Sequence, residues 1–248
     1  MFRRNRSVPL QAKPSKGQRI YAVGDVHGCY DLLVSLLGQI RDHWTNTGGR
    51  KEQTSLLFLG DIIDRGPDSK TCLELISKLW SANQVIVLRG NHEDMMIEAA
   101  QGNAAAQAVW LANGGIETLA SFDIDPPRTG EDAFDFAERL VAGVAAPIWD
   151  MLHNTVHSWR SGDYLFAHAG VDPNVPLDKQ DNLTLLSIRE EFTQSDKWHG
   201  AVIVHGHSIV DRVEIRTNRI ACDTGAYRTG VLSCICVYDD TRTVVSSR

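Results

Sequence analysis

The 248-residue sequence lacks any apolar run that approaches the roughly 18 residues needed to span a bilayer, which excludes an integral membrane protein. Cysteine is scarce: the five residues include no C-x-x-C pair, so a zinc ribbon is excluded and a reducing compartment is indicated. Positive charge is not in excess, because 25 Lys and Arg face 31 Asp and Glu for a net charge of −6. Nucleic acid is therefore not expected as a partner. The first residues also lack the apolar segment of a secretory signal, so we expect a cytoplasmic protein.

The N-terminal half contains an apolar run, a glycine-containing polar loop and a helical stretch, and this pattern occurs three times. The apolar runs are residues 20–23, 56–59 and 85–88. Near-continuous apolar strands that alternate with helices predict a largely parallel sheet covered on both faces. Because ligands bind beyond the carboxyl ends of such strands, we expect the three polar loops to converge in space.

The rest of the chain follows a less regular pattern. Residues from about 101 to 147 are alanine-rich, and we expect a helical insertion there without a catalytic pattern. The second half contains short apolar runs joined by turn signals, which favour antiparallel strands, and one helix at about 182–192. Residues 1–18 are basic, and we predict a flexible tail there, followed by a single domain over residues 19–248.

Carboxylate, amide and imidazole side chains recur at the ends of the predicted strands. They are Asp25, His27, Asp61, Asn91, His92, His168 and His207. Such groups repel one another in one crevice unless a cation compensates. A mixed set of oxygen and nitrogen ligands favours Mn²⁺, Fe²⁺ or Zn²⁺ over Ca²⁺, and the set is too large for one tetrahedral zinc.

Two metal ions that share a bridging carboxylate fit this set of ligands. Asp61 lies centrally in the arrangement and is the predicted bridge. The remaining ligands would divide into Asp25 and His27 for one ion, and Asn91, His168 and His207 for the other. The sequence thus predicts two divalent metal ions as the cofactor, with Mn²⁺ as the first expectation and Fe or Zn as alternatives.

Three motifs resemble the signature blocks of the PPP family of metal-dependent phosphoprotein phosphatases, which belongs to the wider metallophosphoesterases. They are Gly24-Asp25-x-His27-Gly28, Gly60-Asp61-x-x-Asp64-Arg65-Gly66 and Gly90-Asn91-His92-Glu93. Their joint occurrence in this order by chance is negligible. Shorter matches, in the style of phage lambda and bacterial enzymes, are His168-Ala169-Gly170, Gly206-His207 and Asp223-Thr224-Gly225-Ala226. The resemblance covers the chain from Ile20 onward.

This resemblance implies an α/β fold of the αββα sandwich type, in which two mixed β-sheets are flanked by helices, here with the helical insertion added. It implies the same metal ligands, and it implies that Arg65 and Arg189 bind phosphate oxygens. Asn91 would add a side-chain donor to the phosphate while holding metal. Two guanidinium groups also suit the charge, because the metal site alone does not balance a phosphate dianion.

A leaving seryl or threonyl alkoxide is a poor leaving group and needs a proton. His92 is the predicted donor when it is paired with Asp64, because the carboxylate would fix its tautomer and keep it protonated near neutral pH. We therefore predict His92 and Asp64 as the catalytic pair.

The predicted function is that of a serine/threonine phosphoprotein phosphatase in which a metal-bridging hydroxide attacks phosphorus directly. A phosphorylated protein or peptide is the expected substrate, with no nucleic-acid or membrane partner and a monomeric state. The first alternative is a symmetrical diadenosine tetraphosphate hydrolase; these typically lack a carboxylate at the position of Asp64 and have Asp in place of Glu93. The second is a non-catalytic scaffold, which would be expected to have lost ligands or arginines.

Overall fold

The computed structural model describes residues 12–49 and 53–248, and two five-stranded sheets form its framework. The strands of the first sheet are β1 (Gln18–Val23), β2 (Gln53–Phe58), β3 (Val85–Val87), β9 (Ser233–Tyr238) and β10 (Thr241–Ser246). They lie in the order β10-β9-β1-β2-β3. Strands β1, β2 and β3 are parallel, as the sequence predicts, whereas β9 is antiparallel to both β1 and β10.

The second sheet is also mixed. Its strands are β4 (Ser158–Ser161), β5 (Tyr164–Ala167), β6 (Val202–His205), β7 (Glu214–Ile215) and β8 (Arg219–Ala221). They lie in the order β4-β5-β6-β8-β7. Antiparallel pairing occurs where the turns are short, between β4 and β5 and between β7 and β8, while β5, β6 and β8 are parallel.

Alternate side chains of β1 face opposite sides of the first sheet. Ile20 and Ala22 belong to one buried apolar cluster with Val202 and Val204 of the second sheet, so this cluster lies between the sheets. Tyr21 belongs instead to the cluster that the helices form with the first sheet. Both faces of the strand are therefore buried, which explains why its sequence is continuously apolar.

Helices flank both sheets. Those that share a buried cluster with the first sheet are α1 (Tyr30–Asn46), α2 (Ser69–Ser81), α3 (Asn91–Ala99), α4 (Ala104–Trp110), α5 (Ile116–Ser121), α6 (Ala133–Gly143), α7 (Ala146–His153) and α10 (Ala226–Thr229). Two short helices, α8 (Asn182–Ser187) and α9 (Glu190–Thr193), pack with the second sheet. The predicted architecture, two mixed sheets flanked by helices, is confirmed.

The single helix predicted over residues 182–192 is wrong. The structure has α8 and α9 with a break between them, because Ile188 adopts an extended backbone with φ −62° and ψ 143°. Ile188 is partly buried and packs against the buried cluster that α8 and α9 form with the second sheet. In a continued helix its side chain would point in a different direction and lose this packing. Arg189 follows the break and is exposed.

The predicted tail, residues 1–18, falls largely outside the described residues. Of its described part, Ala12 is fully buried and its carbonyl oxygen accepts a hydrogen bond from the Tyr164 hydroxyl. The backbone N–H of Lys13 donates to the Asp163 carboxylate at 3.0 Å, and Gln18 begins β1. Residues from Ala12 onward thus pack on the domain, which differs from the predicted start at residue 19.

Candidate metal centre

The carboxyl ends of five strands bring the predicted site residues together. Asp25 and His27 follow β1; Asp61, Asp64 and Arg65 follow β2; Asn91 and His92 begin α3 after β3; His168 follows β5 and His207 follows β6. Five of the eight non-glycine residues with positive φ in the described ranges lie here, namely His27, Asp61, Asp64, Arg65 and His207. Backbone strain of this kind, about 1–3 kcal/mol per residue, is typical of functional sites.

Asp61 lies at the centre of this cluster. Its Oδ2 atom is 3.4 Å from Nε2 of His168, 3.7 Å from Nε2 of His27 and 3.9 Å from Nε2 of His92. Two groups of potential metal ligands result, one of His27, Asp61 and His92 and the other of Asp61, His168 and His207. Within each group the ligand atoms lie within 4.8 Å of one another. Because Asp61 belongs to both groups, its carboxylate is in the position of a bridge.

The histidine tautomers suit metal binding. Nδ1 of His27 lies 2.8 Å from the Ile63 carbonyl and Nδ1 of His168 lies 2.9 Å from the Leu59 carbonyl. Since a carbonyl only accepts, each Nδ1 carries a proton, and in the neutral form of each ring Nε2 is left with its lone pair directed to the cluster. Nε2 of His207 is buried and has no hydrogen-bond partner among the described residues. These donors fit divalent cations.

Burial also favours the neutral, ligating form of two of these rings. Burial lowers the pKa of His27 to about 3, and it lowers the pKa of His207 to about 3. The positive charges of His168 and Arg189 lower the pKa of His207 further. Neutral imidazole is the form that coordinates a metal.

Asp25 is a buried carboxylate, 2 % exposed, that belongs to neither ligand group. The backbone N–H of His207 donates to its two oxygens at 3.2 and 3.0 Å. Burial raises the pKa of Asp25, and the negative charges of Asp223 and Asp61 raise it further. Gly206 is required beside it, because a Cβ there would lie 2.0 Å from Oδ1 of Asp25. A nearby cation would relieve this excess of buried negative charge.

Asp64 and His92 form a close pair. Oδ2 of Asp64 lies 2.6 Å from Nδ1 of His92, and both side chains are buried. Burial lowers the pKa of His92, but the carboxylates of Asp61 and Asp64 outweigh it, so the pKa is raised overall. Burial raises the pKa of Asp64, and its hydrogen bonds, first among them the one from His92, oppose this.

Two residues of the helical insertion hold the Asp64 carboxylate. Nε1 of Trp110 donates to both oxygens, at 3.1 and 3.0 Å, and the Thr118 hydroxyl donates to Oδ1 at 2.6 Å. The insertion was expected to contain no catalytic pattern, and sequence reasoning missed both residues. The break at Gly114-Gly115 was the only local signal: Gly114 has φ +111°, and its carbonyl accepts from the backbone N–H of Arg65 at 3.3 Å.

Glu93 has a structural role that sequence reasoning also missed. Its carboxylate accepts hydrogen bonds from the backbone N–H groups of Asp61 at 2.8 Å, Ile62 at 2.7 Å, Ile63 at 3.4 Å and Gly90 at 2.9 Å. The third motif therefore fixes the loop of the second motif. This explains how Asp61 is held with a positive φ.

Arg65 lies at the edge of the cluster. Its Nη1 is 3.1 Å from Nε2 of His27, and its guanidinium lies 5.0 Å from the centre of the Tyr227 ring. A cation bound to His27 would compete with the first contact, because both need the same lone pair. Asn91 places its Oδ1 3.1 Å from Nε2 of His168. Arg65 and Asn91 thus lie at the ligand cluster.

The fold and this cluster define a metallophosphoesterase. The family model of the calcineurin-like phosphoesterases matches residues 18–230, and the chain belongs to that family. The predicted relationship is therefore confirmed at the level of the family. None of the helices in the described residues is long and apolar enough to cross a membrane.

Two named activities occur among similar bacterial proteins. Serine/threonine-protein phosphatase 1 of Salmonella typhimurium is 37% identical over 124 residues, which is 50% of either chain. Serine/threonine-protein phosphatase 2 of the same organism is 28% identical over 231 residues, covering 87% of this chain and 91% of that protein. The asymmetrical bis(5'-nucleosyl)-tetraphosphatase PrpE of Bacillus velezensis is 29% identical over 223 residues, 82% of each chain.

Solved structures share the fold at low sequence identity. A proposed diadenosine tetraphosphatase superposes with a TM-score of 0.63 at 19% identity, over 94% of this chain and 95% of that one. A cold-active protein tyrosine phosphatase superposes with a TM-score of 0.52 at 18% identity, over 95% and 81%. The predicted fold is confirmed by these likenesses.

Proposed function

We propose that this chain is a dinuclear metal-dependent phosphomonoesterase that hydrolyses phosphoserine and phosphothreonine in proteins. The observation that carries the proposal is the buried Asp64–His92 pair, held by the insertion and placed beside the carboxylate that both ligand groups share. A dedicated proton donor is what hydrolysis of an alkyl phosphate requires, because the alkoxide is a poor leaving group.

The metal ligands in this proposal are those of the sequence analysis. They are Asp25, His27, Asp61, Asn91, His168 and His207. Two divalent ions, of which Mn²⁺ is the first candidate, supply Lewis-acid activation of water and of the phosphoryl oxygens when they are bound. The complete ligand set argues against the scaffold alternative.

The protein's own residues bind the phosphoryl group and move the proton. Arg65 and Arg189, with the Asn91 side chain, bind phosphoryl oxygens. Asp64 accepts from Nδ1 of His92, so the second proton of the ring is on Nε2, directed to the cluster, and can pass to the leaving oxygen. The raised pKa of His92 keeps that proton available near neutral pH.

A second candidate is hydrolysis of dinucleoside tetraphosphates. It is supported by the PrpE relatives, which cover most of this chain, and these are named asymmetrical rather than symmetrical enzymes. Their leaving group is a nucleotide phosphate of low pKa, which depends less on a proton donor. The Asp64–His92 pair therefore favours the protein phosphatase.

A substrate comparison tests the proposal and includes removal of the metal. With Mn²⁺ present, we expect the phosphoserine peptide to have a higher kcat/KM than a phosphotyrosine peptide or diadenosine tetraphosphate. Chelation with EDTA should abolish all turnover, because water activation depends on the cations, and Mn²⁺ should restore it. A preference for diadenosine tetraphosphate would support the second candidate. Absence of Mn²⁺-stimulated turnover on any substrate, p-nitrophenyl phosphate included, would support the scaffold.

Replacing Trp110 with phenylalanine tests the contribution of the insertion. The variant keeps an aromatic ring in the core but loses the N–H that donates to both Asp64 oxygens. Since a hydrogen bond to a charged group contributes about 1.5–3 kcal/mol, we expect kcat on the phosphoserine peptide to fall by about 10- to 10²-fold. Trp149→Phe is the matched control, because its N–H donates to the Val141 carbonyl instead. Equal losses in the two variants would contradict a role through Asp64.

A further inference from the structure

A polar cavity of about 310 Å³ lies beside the second sheet, at its β7–β8 edge. Its polar lining comprises Thr193, His205, Ser208, Glu214, Arg216 and Arg219. His205 and Arg219 point away from the core between the sheets. The His205 ring packs edge-on against Phe192 of α9, and Arg219 pairs in register with Ile203, which belongs with Phe192 to the buried cluster that α8 and α9 form with the second sheet. The cavity is therefore separate from the metal ligands, although Ser208 in its wall directly follows His207.

Two fully buried polar side chains in this cavity have unused hydrogen-bonding atoms. Arg219 is 3% exposed, and its Nε and Nη1 atoms have no partner among the described residues. His205 is 0% exposed, and its Nε2 atom likewise has none there. A buried polar atom without a hydrogen-bond partner raises the free energy of the folded protein. Binding of a ligand that hydrogen-bonds to all three atoms would therefore be favourable.

The three atoms without a partner comprise two hydrogen-bond donors and one acceptor. Nε and Nη1 of Arg219 are donors. Nδ1 of His205 lies 3.0 Å from the Gly206 carbonyl, so Nδ1 carries the proton of the neutral ring and Nε2 is an acceptor. A complementary ligand must therefore offer acceptor oxygens to the guanidinium and one O–H to the imidazole.

The charge of the lining favours an anion. Two guanidinium groups, those of Arg216 and Arg219, face the single carboxylate of Glu214, which accepts from them at 2.7 and 3.1 Å. One positive charge therefore remains in the lining. Asp196, 4.0 Å from Arg216, is 88% exposed and is screened by solvent.

We infer that this cavity binds inorganic hydrogen phosphate. Its unprotonated oxygens accept from Arg219, and its single hydroxyl donates to Nε2 of His205. Hydrogen phosphate is also the inorganic product of the proposed reaction, so the cavity would be a product-binding site apart from the metal centre. Sulfate has the same shape and charge but no hydroxyl at neutral pH, so it leaves the imidazole nitrogen unsatisfied and should bind much more weakly.

Equilibrium dialysis of the metal-loaded protein with radiolabelled phosphate tests this inference. We expect wild type to bind one more phosphate per chain than Arg219→Met, in which affinity at this cavity should fall at least about tenfold. Arg212→Met is the matched control, because Arg212 is exposed nearby and does not line the cavity. Because the readout is a difference of one phosphate, it does not depend on whether the metal centre also binds phosphate.

Excess sulfate provides the test that needs no variant. Sulfate should displace phosphate from a metal centre but should leave one phosphate bound per wild-type chain, and phosphate should raise the midpoint of thermal unfolding more than sulfate does. Equal phosphate counts in wild type and Arg219→Met would overturn the inference. Complete displacement by sulfate would overturn it as well, because a hydroxyl would then not be recognised.

Discussion

Substituting asparagine for Asp61 is expected to reduce hydrolysis of a phosphoserine peptide by about 10³-fold. The carboxylate belongs to both groups of potential metal ligands, so its loss weakens both ions together. Asparagine has nearly the same shape, tolerates the positive φ of 51° at this position, and can still accept the backbone N–H of His92. The fold should therefore survive while the negative charge is lost.

The measurement is kcat/KM with saturating Mn²⁺, together with the metal content of the purified protein. Wild type should contain two ions per chain, and Asp61→Asn should contain fewer. Asp68→Asn is the matched control, because Asp68 lies in the same loop region but is exposed and makes no side-chain cap hydrogen bond to α2. Unchanged metal content and activity in Asp61→Asn would refute the bridging position.

Local pattern was enough to predict the convergence of the three N-terminal loops. Strands β1, β2 and β3 are parallel neighbours, so the residues after them must meet at one edge. His168 and His207 also lie together, because β5 and β6 are parallel and adjacent, but the turn signals of this half predict antiparallel strands, so this pairing does not follow from local pattern. Their rings lie 5.0 Å apart between centres. For the N-terminal half, the alternation of apolar strands and helices carries this information, because successive strands of that pattern pair in parallel.

The residues that support the centre could not be predicted in this way. Trp110 reaches Asp64 across 46 positions of sequence from a helix whose orientation depends on packing. Nothing in the local motif around Glu93 shows that its carboxylate accepts hydrogen bonds from four backbone N–H groups. The break before Arg189 depends on burial of Ile188, which helical periodicity alone does not reveal.

Replacing His92 with asparagine should have an effect that depends on the leaving group. For a phosphoserine peptide we expect a loss of about 10²–10⁴-fold, because the alkoxide then leaves without its proton. For p-nitrophenyl phosphate the loss should be far smaller, since nitrophenolate is a stable anion. His153→Asn is the matched control: its ring stacks on Trp149 within α7, and it belongs to neither group of potential metal ligands.

The metal content of His92→Asn separates two roles that the geometry allows. His92 shares a potential ligand group with His27 and Asp61, so it could hold an ion instead of a proton. Its Nδ1, however, is engaged by Asp64 at 2.6 Å, and the carboxylates of Asp61 and Asp64 raise its pKa, which favours a protonated ring over a ligating one. Retention of both ions with a selective loss on the alkyl substrate supports proton donation. Loss of one ion, with equal decreases on both substrates, would make His92 a metal ligand and leave the leaving oxygen without an identified donor.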